Sequence, residues 1–276
     1  MLDKTLQDEI VKKGRGFLRG VDVSDPIGAA FVSDQELRLP QPPLVKAAAA
    51  APETHTRLPE PESTPLAESD LTELLRSRRS YRSYGDTPLT LQQLGYLLWA
   101  GQGITGIKGE NYATMRTVPS GGARHPFETY LLCRNVAGLK PGAYHYLPME
   151  HALEYLGAVE AMSETISAAL LEQKWAARAG VVFFWSVVPY RAEWRYGIRA
   201  HRTILIDAGH VGQNHYLAAT ALGLGTCTVA AFDDPLCSRL FGLDGKEEFI
   251  IYAASAGNRR RVGAPHCTPK GLQTDM

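Results

Sequence analysis

The sequence lacks a long apolar run, an excess of charge of either sign and any clustering of its cysteines. Its longest apolar stretch, around Val181 to Trp185, is far shorter than the roughly 20 residues that cross a bilayer. The amino-terminal MLDKTLQDEIVKKGRG scatters charge and has no apolar core of a signal peptide, so an unexported, soluble, cytoplasmic protein without a membrane partner is expected. Lys+Arg and Asp+Glu number 29 each, which leaves no basic footprint for nucleic acid. The four cysteines, Cys133, Cys227, Cys237 and Cys267, form no CxxC pair, so neither a disulfide framework nor a zinc site is indicated and free buried thiols are expected. No HExxH spacing occurs, and His210 and His215 are five apart, which puts them on different helix faces. No metal site is expected.

What is present is core material. Of 276 residues, 45% are hydrophobic, enough for one large domain with an appendage. Residues 1–65 read as an N-terminal arm and a Pro/Ala-rich linker, since LPQPPLVKAAAAAPETHTRLPEPESTP cannot sustain a helix or a ladder for long. Residues 66–276 read as the folded domain. Ser69 or Asp70 can cap a helix over LTELLRSR, and Thr90 with Gln93 makes a capping box for a helix that stops at Gly101 and turns Leu91, Leu94, Leu97 and Leu98 inward.

Strands are expected over Phe127 to Cys133, as a hairpin from Ala143 to Leu156, over 181–188, over Thr226 to Phe232 and over Phe249 to Ser255. Helices are expected from Glu160 to Trp175, from Arg199 to Leu222 with Gly223 as its stop, and after an Asp234-Pro235 cap. This order implies an α+β fold with a central mixed or antiparallel sheet flanked by helices.

Two segments carry chemistry. In Arg78-Arg79-Ser80-Tyr81-Arg82 an extended backbone would project Arg78, Ser80 and Arg82 to one side. Two guanidinium forks and a hydroxyl suit a phosphate or an electron-rich heterocycle, although a solvated basic run has the same composition. In Pro119-Ser120-Gly121-Gly122-Ala123-Arg124 the missing side-chain bulk lets backbone amides approach a flat ring, although a tight turn entering a strand would also use it. The GxGxxG at Gly101 to Gly106 follows a helix rather than a strand and so does not match the dinucleotide fingerprint.

The segments RRSYRSY, LQQLGYLLWAGQGITG, RTVPSGGARHPFETYLL and RYGIRAHRTILIDAGHVGQNHYLAATALGLGTCTVAAF together resemble the nitroreductase superfamily and, within it, the SagB/ThcOx-like FMN-dependent oxidoreductases. The likeness runs from about residue 70 to the C-terminus. It implies a homodimer holding FMN between subunits, with ping-pong electron transfer from NADH or NADPH to a small conjugated or nitro-type acceptor. By position it implies FMN contacts from Arg78, Arg79, Ser80 and Arg82, from Ser120 and Gly121, and from Arg259 and Arg261. Backbone facing the reactive flavin nitrogen would come from Ala230 and Ala231, where classical members have Glu-Gly. A SagB-like azoline dehydrogenase of peptide modification and a non-catalytic flavin-binding protein are the alternatives. Related azoline dehydrogenases carry Lys-Tyr where this chain has Arg195-Tyr196. Arginine stays protonated and cannot serve as a general base, which leaves Tyr196 as the candidate catalytic residue.

Overall fold

A computed structural model describes residues 3–19 and 30–260. A seven-stranded sheet organises it, in the order β1-β6-β5-β4-β7-β9-β8, and every pairing is antiparallel. The strands are β1 Thr56–Arg57, β4 Phe127–Cys133, β5 Gly142–Leu147, β6 Ala152–Gly157, β7 Val181–Val187, β8 Leu224–Val229 and β9 Phe249–Asn258. A separate hairpin pairs β2 Ile104–Lys108 with β3 Ala113–Arg116. The helices are α1 Lys4–Arg19, α2 Leu71–Ser77, α3 Leu91–Gln102, α4 Met162–Ala169, α5 Tyr190–Tyr196, α6 Ala200–Ala221 and α7 Asp234–Leu240.

Central strands β4 and β7 are buried along their whole length, as a sheet covered on both faces requires. Their side chains alternate between two cores. Leu131, Phe183 and Trp185 pack with Leu94, Leu97 and Leu98 of α3 and with Ile204 and Val211 of α6. Tyr130, Leu132, Val182 and Phe184 pack on the other side with Ile166 of α4 and Cys237 of α7. The result is helix, sheet and helix in three layers, the expected α+β architecture.

Local chemistry sets most boundaries. Asp70 caps α2 through Glu73 N, and Thr90 and Gln93 form the reciprocal capping box of α3. Helix α3 runs one residue past Gly101 and ends on Gly103. Gly223, with φ +70°, follows α6 in the left-handed conformation expected of a stop.

Three expectations are corrected. The helix sought from Glu160 to Trp175 spans only Met162–Ala169, because Leu171 and Glu172 turn left-handed, with φ of 49° and 62°. Asp233 rather than Asp234 caps α7, accepting from Leu236 N. The strand sought over Thr226 to Phe232 is displaced to Leu224–Val229: it starts earlier because β9 continues to Asn258 and pairs with Leu224 there, and it ends before Ala230.

The Pro/Ala-rich stretch is fastened to the domain. Two of its residues form β1 on the β6 edge, and backbone N–H groups of Lys46, Ala49 and Ala50 donate to the buried carboxylates of Glu128 and Glu154. Cys133, Cys227 and Cys237 are buried and unpaired; Cys267 lies outside the described residues. Among the described residues, no group of three or more His, Cys, Asp and Glu side chains could hold a metal ion, and no helix is long and apolar enough to cross a membrane.

Two buried histidines predict acid sensitivity. Burial pushes His215, ringed by Phe183 and Trp185, from 6.5 down to about 3. Burial, aided by the Arg116 and Arg124 charges, does the same to His125. Between those pH values the unfolded chain takes up protons that the folded chain refuses, so stability declines as pH falls from 6.5 toward 3. Denaturant midpoints across that range will show the decline. His215→Leu, which removes one of these groups, will show a shallower decline.

Candidate functional site

The arginine-rich segment leaves α2 extended and lies against the β8 edge, Tyr81 N donating to Thr226 O at 2.8 Å. Gly225 permits this approach, since a Cβ there would come within 3.0 Å of Tyr81 Cβ and 3.4 Å of Arg259 Cγ. Alternation then works as expected for its first two teeth: Arg78 sits over the Tyr216 ring, 5.1 Å from its centroid, and Ser80 Oγ lies 2.8 Å from Tyr216 Oη. Arg82 reaches Trp175 instead, 5.5 Å from its centroid. Arg79 folds back to the carbonyls of Arg76 and Arg78.

Arg259, 177 positions beyond Arg82 in number, joins this group. Its guanidinium stacks 4.3 Å from the Tyr81 centroid while Nε donates to Leu224 O. Among the described residues, the guanidinium groups of Arg78 and Arg82 have ring contacts but no hydrogen-bond partner. Ala230 and Ala231 are exposed beside the same region, and Gln173 Nε2 donates to Ala231 O at 3.0 Å, two residues from the Trp175 that Arg82 covers. Arg261 lies outside the described residues.

The glycine loop is held elsewhere. Ser120 Oγ donates to Asp207 Oδ2 at 2.7 Å, and Gly121 N donates to both oxygens of that carboxylate. Burial raises the Asp207 carboxyl against the pull of those two donors. A Cβ at Gly121 would strike Thr203 Cγ2 at 2.3 Å. Gly122, at φ +57°, leaves room for Arg195 and Tyr196, whose Nε and Oη would lie 2.6 and 2.7 Å from a Cβ there.

The two halves share one helix. Asp207 and Tyr216 are nine residues apart on α6, about 13 Å along the axis and half a turn around it at 3.6 residues per turn. The arginine group and the glycine loop therefore address opposite sides of α6 within one chain. Just before Asp207, α6 exposes Leu205 and Ile206, 43% and 54% accessible. The Asn214 amide, also on α6, is spent on Ala100 O and Thr117 O.

Sequence reasoning missed Tyr216, Asp207, Gln173, Trp175 and Tyr112. Tyr216 joins Ser80 to Thr228 N and Thr228 Oγ1, but a lone tyrosine on an α6 rich in small residues carries no local signal. Asp207 was detectable as the one carboxylate of α6, on a face otherwise made of buried Ile204, Ala208 and Val211.

The profile of the nitroreductase family matches residues 75–258. MJ1384 of Methanocaldococcus jannaschii, which carries the nitroreductase name, is 38% identical over 169 residues, covering 61% of this chain and 82% of that protein. The trifolitoxin-processing protein TfxB of Rhizobium leguminosarum is 32% identical over 148 residues, 51% of this chain but only 38% of TfxB. A crystal structure from Anabaena variabilis, also described as of nitroreductase type, superimposes with a TM-score of 0.58 at 30% identity. It covers 69% of this chain and 38% of that one.

Proposed function

The chain belongs to the nitroreductase family, and from that premise we propose that it is a cytoplasmic, FMN-dependent oxidoreductase working as a homodimer. Electrons pass from NADH or NADPH, by a ping-pong scheme, to a small conjugated or nitro-type acceptor. The observation that carries the reading is the arrival of Arg259, from the far end of the chain, over Tyr81 within the arginine segment. A phosphomonoester brings about −1.5 to −2 charges, and Arg78, Arg82 and Arg259 supply cations with N–H groups for it.

The donor set fits FMN. In this reading Arg78, Arg79, Ser80, Arg82, Arg259 and Arg261 hold its anionic parts, Ala230 and Ala231 offer backbone to its reactive edge, and Ser120 and Gly121 contribute from the other side of α6. When bound, FMN supplies two-electron transfer. A fixed arginine beside the ring favours its electron-rich form. Sharing each site between two copies reconciles halves that face opposite ways, and the exposed Leu205 and Ile206 suit a helix face covered by a second copy.

Similarity to a trifolitoxin-processing protein favours one second reading, an azoline dehydrogenase acting on a peptide.

The test is the absorption spectrum of the purified protein together with identification of the ligand released on denaturation. FMN is expected, and it should bleach when NAD(P)H is added without oxygen. Arg82→Ala should retain less FMN through purification. A colourless preparation that takes up no added FMN would end the proposal, and persistent colour under several reductants would favour a non-catalytic flavin-binding protein.

A further inference from the structure

Tyr112 lies in the turn between β2 and β3, 36% exposed. Its phenol oxygen accepts from Arg195 Nη1 at 2.7 Å and from Gln35 Nε2 at 3.0 Å, and it donates to no described residue. Arg124 stacks over the ring, 4.8 Å from the centroid. That guanidinium is itself tied to the glycine loop, with Nε on Gly122 O and Nη2 on Tyr112 O. Ring, guanidinium and loop thus form one unit, against which Arg195 and Tyr196 fit only because residue 122 has no Cβ.

An oxygen with two N–H donors and two guanidinium charges nearby is set up to carry negative charge. Burial is the largest single influence on it and opposes ionisation. The Gln35 bond and the charges of Arg195 and Arg124 together outweigh burial and hold the phenol below its ordinary value of 10. Arg195 faces it from α5 and Arg124 from the loop before β4. The flanking strap carboxylates are engaged elsewhere, Asp34 with Tyr190 and Glu36 with Ser33.

We propose that Tyr112 is a catalytic proton carrier of this site and Arg195 its positioning residue, for substrates oxidised or reduced across a C–N or C–C bond by hydride plus proton. The assignment rests on the reading that FMN binds beside the Ser120–Gly122 loop. In dehydrogenation, the substrate's N–H or C–H proton passes to the Tyr112 oxygen while the adjacent C–H bond breaks and its hydride, with both electrons, goes to the flavin as oxidant. The remaining electron pair forms the new double bond. In reduction with NAD(P)H as the source of electrons, Tyr112 O–H gives its proton to the atom next to the one that receives hydride, and water restores the phenol. Arg195 keeps its own proton throughout, so it steadies the phenolate without acting as a base.

Ultraviolet titration of the purified protein reads the phenols directly. The wild type is expected to show one tyrosine ionising below the ordinary value, a step lost in Tyr112→Phe and kept in Tyr196→Phe. In the FMN-loaded enzyme, Tyr112→Phe is expected to lower kcat by about 10²-fold with KM and FMN affinity unchanged, and to erase the pH limb belonging to that phenol. Arg195→Lys should move the limb to higher pH. An early-ionising step that survives Tyr112→Phe overturns the assignment, and so does a wild-type kcat in that variant with FMN bound. Failure of the wild type to bind FMN overturns the flavin reading first, and the assignment with it.

Discussion

Glu128→Leu is expected to lose about 3–5 kcal/mol of stability, the usual cost of leaving one partner of a buried ion pair uncompensated. Glu128 is 2% exposed and meets Arg191 Nη2 at 2.6 Å, His145 Nε2 at 3.2 Å and the Lys46 backbone N–H at 2.8 Å. Burial works against its charge, but Arg191 and His145 prevail and hold its carboxyl at about 2. That stabilisation is present above the ordinary 4.5 and is lost as pH falls toward 2. Removing the carboxylate strands Arg191, whose Nη1 already lacks a partner, and frees the strap at Lys46. Adding Arg191→Met to Glu128→Leu should recover part of the loss, because the Arg191 charge is then no longer left unpaired, while the buried Arg116 still loses the nearby carboxylate. Denaturant unfolding measures both variants. A single variant within about 1 kcal/mol of wild type would mean that water satisfies Arg191.

Arg78→Ala is expected to raise the FMN dissociation constant by about 10- to 100-fold, the worth of one charge-assisted hydrogen bond. The substitution is clean. Arg78 spends its guanidinium on no described hydrogen bond and only stacks on Tyr216, so circular dichroism and unfolding should be unchanged. Arg259→Ala is less clean, since it also leaves Leu224 O without its donor. Fluorescence titration of the FMN-stripped protein reads the constant. Wild-type affinity in Arg78→Ala would show the arginine segment to be ordinary solvated surface.

Much of the scaffold was legible because its signals are local. The Thr90 and Gln93 box, the Asp70 cap and the uninterrupted apolar strands β4 and β7 each need only a few neighbouring residues. The left-handed pair Leu171 and Glu172 was not legible, because neither residue type favours that conformation and tertiary contacts must impose it.

The site divided in the same way. The spacing of Arg78, Ser80 and Arg82 could be read from alternation, but their destinations could not: Tyr216 and Trp175 are 138 and 93 positions from the arginines they meet. Tyr112 escaped notice because a tyrosine in a polar turn looks like surface, and only the fold brings Arg195, 83 residues away, to its hydroxyl.

Half a helical turn between Asp207 and Tyr216 makes damage to the arginine group and damage to the glycine loop separable lesions. In the proposed homodimer, whose copies would share two pockets, a chain crippled at Arg78 and a chain crippled at Gly121 are expected to complement each other. Each mixed pair would then carry one pocket with both faults and one with none, so blending the two weakened preparations under conditions that exchange subunits is expected to raise activity above that of either alone.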